Sequence, residues 1–185
     1  MSVPHKPMSR MTVDEFLVWA ENQPGRYELL DGDVLGMSPQ RARHADAKFA
    51  VHTALHTAIR HHGLPCRMMP DGMRVRIDQA IAFGPDALVY CGPRTSPDAV
   101  EIPNPVIVVE IISPSTKAID TGAKFAGYFS VASVMHYLIV DPSKRVVIHH
   151  RRGAEMIETR IVSDGVLRLD PPGLDVPLAE IFAEA

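Results

Sequence analysis

One apolar run constrains this chain more than any other feature. VIVVEII, residues 106–112, is closed off by Pro105 and Pro114 and carries a single carboxylate, Glu110. Near-continuous hydrophobicity without alternation predicts a central strand buried on both faces of a sheet. A carboxylate is seldom buried without a partner, because losing its hydration costs several kcal/mol or forces it to bind a proton. Glu110 therefore has three readings: an edge strand facing water, a pairing with a structural arginine, or compensation by a cation or a catalytic group.

The rest of the chain builds layers around that strand. Thr12 and Glu15 form a capping-box pattern ahead of Val13, Phe16, Leu17 and Ala20, and Pro24-Gly25 ends that helix. RYELLDGDVLGM places Asp31-Gly32 between two short apolar runs, the signature of a two-residue hairpin turn. Residues 42–62 hold no Gly or Pro and predict a long helix with Phe49, Leu55, Ile59 and alanines on its apolar face, closed by Gly63. Short extended runs follow: LPCRMM, GMRVRI and DALVY. After the Glu110 strand come a helix over about 117–129, the strands HYLIV and VVIHH joined at Asp141-Pro142, strands near 155–162 and 165–169, and a short helix near 178–183. This order predicts an α/β (α+β) fold, a mixed sheet flanked by helices with an N-terminal helix and hairpin extension. At 185 residues it is expected to form one domain, with residues 1–10 as a loose arm.

Three further positions bear on Glu110. Asp86 follows Gly84-Pro85 at the entry to DALVY; Pro-Asp is common in turns, but adjacent strands would set Asp86 and Glu110 at one end of the sheet. Two carboxylates there suit a hard divalent ion. Asp120, Lys124 and Tyr128 are spaced four apart and share one helix face, so the alternatives are an ordinary exposed Asp–Lys pair or a lysine reaching back to the carboxylates. His52 and His56 have the spacing of a helical zinc pair, but HExxH is absent and a solvated face is the simpler reading. A GxSxG elbow, a Walker loop and a GxGxxG fingerprint are also absent. Ser113 and Ser115 read as turn and cap residues.

YELLDGDV, PDALV, VVEIISPST, DTGAKFAGY and HYLIVDP, in that order, resemble the Uma-type putative restriction endonuclease family within the PD-(D/E)XK nuclease superfamily. The resemblance spans about residues 12–150 and implies a restriction-endonuclease-like core. It implies an endonuclease that hydrolyses DNA phosphodiester bonds with Mg²⁺ or Mn²⁺, held by Asp86, Glu110 and the peptide carbonyl of Ile111. The superfamily's lysine two positions after the glutamate is missing, since Ile112 stands there. The resemblance moves that role to Lys124, with Asp120 and Tyr128 orienting it. Glu28 matches a further acidic position, as an outer ligand or as a solvated hairpin carboxylate. His44 matches a histidine near the active site.

Charge and cysteines bound the partners. A net charge of −3 supplies no general attraction to nucleic acid, so DNA contacts would need local groups such as Arg41/Arg43, Arg74/Arg76 or Arg151/Arg152. Cys66 and Cys91 do not have zinc-ribbon or CxxC spacing, and a reducing cytoplasm is the expected location. No run reaches the roughly 20 apolar residues of a membrane span. Cutting both DNA strands commonly needs two active sites, so a homodimer accompanies the nuclease reading. The alternative is a non-catalytic binding or assembly module on the same fold, which the acidic balance and the missing lysine favour.

Overall fold

The computed structural model describes residues 10–112 and 121–183. The expected N-terminal arm, apart from Arg10, lies outside the described residues, as do Ser113, Ser115 and Asp120.

A six-stranded sheet forms the centre. In chain order its strands are β3 (Cys66–Pro70), β6 (Ala87–Cys91), β7 (Pro105–Ile111), β8 (His136–Asp141), β9 (Val146–Arg152) and β10 (Ile157–Val162). They lie in the order β10-β9-β8-β7-β6-β3, and only β7 and β8 run parallel. β7 is thus interior, and its two faces feed two separate cores. On one face Ile107, Val109 and Ile111 pack with Leu138, Val140 and Val147 beneath the helix α2 (Ala42–His61). On the other, Val108 packs with Leu88, Tyr137 and Ile139 beneath α3 (Thr121–Ser130), which contributes Tyr128 and Phe129. A parallel pair needs a crossover, and α3 supplies the one between β7 and β8.

α2 buries Ala47, Val51, Ala54, Leu55, Ala58 and Ile59, a stripe at helical spacing. Phe49, expected on that face, is 65% exposed instead, because at 3.6 residues per turn it falls nearly opposite the centre of the stripe. Gly63 ends the segment at φ +61, where a side chain would be strained.

A second sheet, ordered β2-β1-β5-β4, packs beside α3. Its strands are β1 (Tyr27–Leu30), β2 (Asp33–Gly36), β4 (Val75–Arg76) and β5 (Ala82–Phe83). β1 and β2 form the expected hairpin, with Asp31 at φ 51 and Gly32 at φ 82, both positive as a type I′ turn requires. The capping box of α1 (Val13–Ala20) forms: Glu15 N–H donates to Thr12 Oγ1 at 3.3 Å and Thr12 N–H to Glu15 Oε2 at 2.8 Å. Of GMRVRI only Val75–Arg76 forms a strand, β4, in this four-stranded sheet. The run near 165–169 does not extend the large sheet. As β11 (Val166–Leu169) it pairs with β12 (Leu174–Pro177) in a separate two-stranded sheet that helps to roof the α2-side core, followed by α4 (Leu178–Ile181).

Cys66 stands directly opposite Cys91 on β3 and β6, and their sulfurs form a disulfide. Among the described residues no helix is long and apolar enough to cross a membrane.

Candidate active site

The alternation of β7 turns Glu110 toward α3 while its neighbours Val109 and Ile111 face α2. That rules out the water-facing edge, because Glu110 lies in an interior strand with its side chain 12% exposed. Its partner is a lysine rather than an arginine. Lys124 Nζ, on the first turns of α3, lies 3.1 Å from Glu110 Oε1 and donates at 2.9 Å to Glu28 Oε1. One turn on, Tyr128 Oη donates to Glu110 Oε1 at 2.7 Å. Tyr128 therefore orients the glutamate, not the lysine as expected. The spacing of four sets both side chains over one strand position.

Glu28 is not a solvated hairpin carboxylate. It is 5% exposed and its Oε1 also accepts from the Gly84 N–H at 2.9 Å. The turn that precedes Asp86 is thereby tied to β1. Burial raises the Glu110 carboxyl well above the usual range; Lys124 and the Tyr128 hydroxyl oppose this, and the nearby Asp86 and Glu28 carboxylates add to it. Burial also raises the Tyr128 hydroxyl, with Glu110 next in effect.

Asp86 sits where β6 begins. Its Oδ2 accepts from the Ile111 N–H at 2.8 Å, so a backbone bond to the residue after Glu110 locks the two carboxylates at one strand end. Its Oδ1 lies 2.8 Å from Lys48 Nζ, 3.6 Å from His44 Nε2 and 4.0 Å from Arg26 Nη2. Burial by itself would raise this carboxyl, but His44, Lys48 and the Ile111 N–H outweigh it and hold the pKa at about 2. The two carboxylates are therefore pushed apart in acidity, a common property of sites built for chemistry.

α2 contributes more than the sequence suggested. His44, Lys48 and His52 recur every four residues on one helix face. Lys48 is 4% exposed and bridges Asp86 to Asp71, 2.9 Å away, while His52 Nε2 lies 2.8 Å from the Asp86 carbonyl oxygen. His52 is thus half-buried against the site rather than solvated, whereas His56 is exposed. The i, i+4, i+8 spacing from His44 was the signal that would have found Lys48.

Among the described residues no three His, Cys, Asp or Glu side chains converge as a ready metal cage. The donors at the strand end are the Asp86 and Glu110 carboxylates and the Ile111 carbonyl, all oxygen. That set fits Mg²⁺, which keeps several waters and takes one or two protein carboxylates. Asp86 Oδ1 is already engaged by the Lys48 ammonium at 2.8 Å, so an ion on that oxygen would compete with Lys48.

Comparison with known proteins bears on the family and the fold. The family model described as Uma2, putative restriction endonuclease, matches residues 13–179. An uncharacterized protein of Synechocystis sp., slr1290, is 29% identical over 152 residues, covering 80% of this chain and 78% of that one. A second from the same organism, sll1609, is 23% identical over 145 residues, with 77% and 81% covered. Among solved structures, a putative nuclease belonging to DUF820 from Anabaena variabilis superposes with a TM-score of 0.71 at 16% identity. It covers 94% of this chain and 98% of that one.

Proposed function

Because the chain belongs to the Uma2 putative restriction endonuclease family, we propose that it is a divalent-metal-dependent endonuclease hydrolysing DNA phosphodiester bonds. One observation carries the reading: the Ile111 N–H fixes Asp86 beside Glu110 at the end of an interior strand, with Lys124 against Glu110. Asp86, Glu110 and the Ile111 carbonyl would hold Mg²⁺ or Mn²⁺. Such an ion, when bound, polarises a phosphoryl oxygen and lowers the pKa of a coordinated water.

The chain's own groups do the remaining work. Among the described residues Lys124 is held by the Glu28 and Glu110 carboxylates, so its ammonium is presented in a fixed direction, where it orients the attacking water or stabilises charge on the phosphate. Tyr128 fixes the Glu110 oxygen that Lys124 touches. Glu28 anchors Lys124 and the Gly84 turn together. His44 and Lys48 hold Asp86 ionised. In the reaction a water oxygen bonds to phosphorus, the bond to the leaving alkoxide breaks, and the water's proton ends on that alkoxide.

The test is nicking of supercoiled plasmid in Mg²⁺ and Mn²⁺, with single-stranded and branched DNA in parallel. Asp86→Asn, Glu110→Gln and Lys124→Ala, each checked for folding, are expected to lose activity by about 100-fold or more. Cutting that survives all three would overturn the assignment. The Lys48–Asp86 ion pair favours a second reading, a non-catalytic binding module, because it neutralises one of the two carboxylates. DNA binding by the folded wild type without cutting in either metal would support that reading.

A further inference from the structure

The strand β10 closes the large sheet on the side away from the candidate site, with β9 and β8 between it and β7. Among the described residues it pairs only with β9, so one row of its backbone N–H and C=O groups faces outward. Sheet edges of this kind are usually blunted by lysine, proline or a covering loop. β10 holds no lysine or proline, and its exposed charges are of both signs: Arg160 and Ile161 are each 70% exposed, Met156 just before it is 68% exposed, and Glu158 is 44% exposed.

The order of these residues is chemically symmetric. Reading outward from Thr159 in either direction meets a charged residue, then isoleucine, then an apolar residue: Glu158 or Arg160, Ile157 or Ile161, Met156 or Val162. The two charges have opposite sign. We propose that β10 is a self-complementary interface, pairing antiparallel with β10 of a second copy about a two-fold axis at Thr159.

In that register Glu158 lies opposite Arg160 of the second copy, Ile157 opposite Ile161, Met156 opposite Val162, and Thr159 opposite itself. Each unlike pair occurs twice, as a two-fold interface demands. Opposite charges, apolar pairs and Thr–Thr pairs are the cross-strand neighbours that stabilise antiparallel sheets. The neighbouring registers are worse. Moving the axis to Arg160 or to Glu158 stacks like charges on each other, and placing it between residues leaves each charge opposite an apolar or uncharged side chain. Register is thus specified by the sequence itself. The present Glu158–Arg160 contact within one strand, 3.4 Å long and exposed, contributes little and does not compete. The pairing joins two six-stranded sheets into one and leaves the β6–β7 end of each copy open.

Light scattering across a protein concentration series tests this, using the full chain. Wild type is expected to be a dimer. Arg160→Glu and Glu158→Arg set like charges opposite each other twice, and each is expected to raise the dissociation constant by about tenfold or more. The double exchange Glu158→Arg/Arg160→Glu restores opposite charges and is expected to restore the dimer. Circular dichroism and melting confirm that these exposed variants fold. A wild type that stays monomeric throughout, or a dimer indifferent to the single reversals, overturns the proposal. Because the readout is mass, it is independent of whether the chain cuts DNA.

Discussion

Lys48 marks where a reading of the sequence stops at the scale of single residues. Glu110, Asp86 and Lys124 could be singled out because each was odd where it stood: a carboxylate in an apolar run, an acid at a strand entry, a lysine on a shared helix face; Glu28 came only from the family resemblance. Lys48 lies in a helix rich in polar residues, and only its four-residue spacing from His44 and His52 sets it apart. Its partners Asp71 and Asp86 arrive from the loop after β3 and from the start of β6, contacts that only tertiary packing creates. Its burial gives it a measurable role. Lys48→Met removes the ammonium from an Asp86 side chain that is 5% exposed, and breaking a buried pair from one side costs about 3 kcal/mol. Denaturant unfolding should show a loss of that order, and the Asp86 carboxyl should titrate at higher pH by NMR. Asp71→Asn should cost less, because Asp71 is 31% exposed and water compensates it. A Lys48→Met protein as stable as wild type would show that the pair carries no net stability.

Elements with a strong periodic signal were legible, and short ones were not. β7, α2 and the β1–β2 hairpin follow from runs, stripes and turn chemistry. β5 has two residues and β12 four, too few for any period to emerge, and β11 left the large sheet because β12 offered a nearer partner. At this scale α3 is the element on which the site depends, and two glycines report on its seat. A Cβ at Gly127 would lie 2.7 Å from Phe83 Cε2, while one at Gly122 meets nothing within 4 Å. Phe83 is 2% exposed, and its ring meets Tyr128 at 5.5 Å between centroids, so it has little room to yield. Gly127→Ala gains helix propensity of up to about 1 kcal/mol but overpacks a core contact, at a cost of about 1–3 kcal/mol. The expected result is a net loss of stability, with α3 displaced and the Lys124–Glu110 contact loosened. Gly122→Ala should be neutral or slightly stabilising. Melting curves for the two variants, with plasmid nicking alongside, check this; equal behaviour would mean that α3 tolerates displacement.

For the whole molecule, stability against acid depends on a pair of residues far from the candidate site. His136 on β8 and His149 on β9 both face the α2 side of the sheet, and His136 Nδ1 lies 2.9 Å from His149 Nε2. The other His136 nitrogen, Nε2, lies 2.9 Å from the Pro171 carbonyl oxygen and must donate to it. In neutral rings that leaves His136 Nδ1 as acceptor and His149 Nε2–H as donor, a chain a second proton would break. Burial holds each ring neutral, lowering both pKa values to about 4, with the neighbouring His136 next in effect on His149. Both folded values lie below the ordinary 6.5, so on acidification the unfolded chain takes up protons first. The pair's contribution is complete above about pH 6.5 and is lost as pH falls toward 4. Asp86 acts in a lower window, since its contribution is present above its ordinary 3.8 and disappears toward 2. Glu110 works in the opposite sense: the folded state keeps its proton to higher pH, so what it contributes fades as pH rises above 4.5. The histidine pair should therefore begin to lower the melting temperature near pH 6.5, above the range in which Asp86 is protonated and against the opposite trend of Glu110. His149→Gln keeps an N–H donor for His136 Nδ1 but removes one titrating ring, and its decline between pH 6.5 and 4 should be shallower than that of wild type. Parallel profiles for the two proteins would show that His149 is not held neutral by the fold.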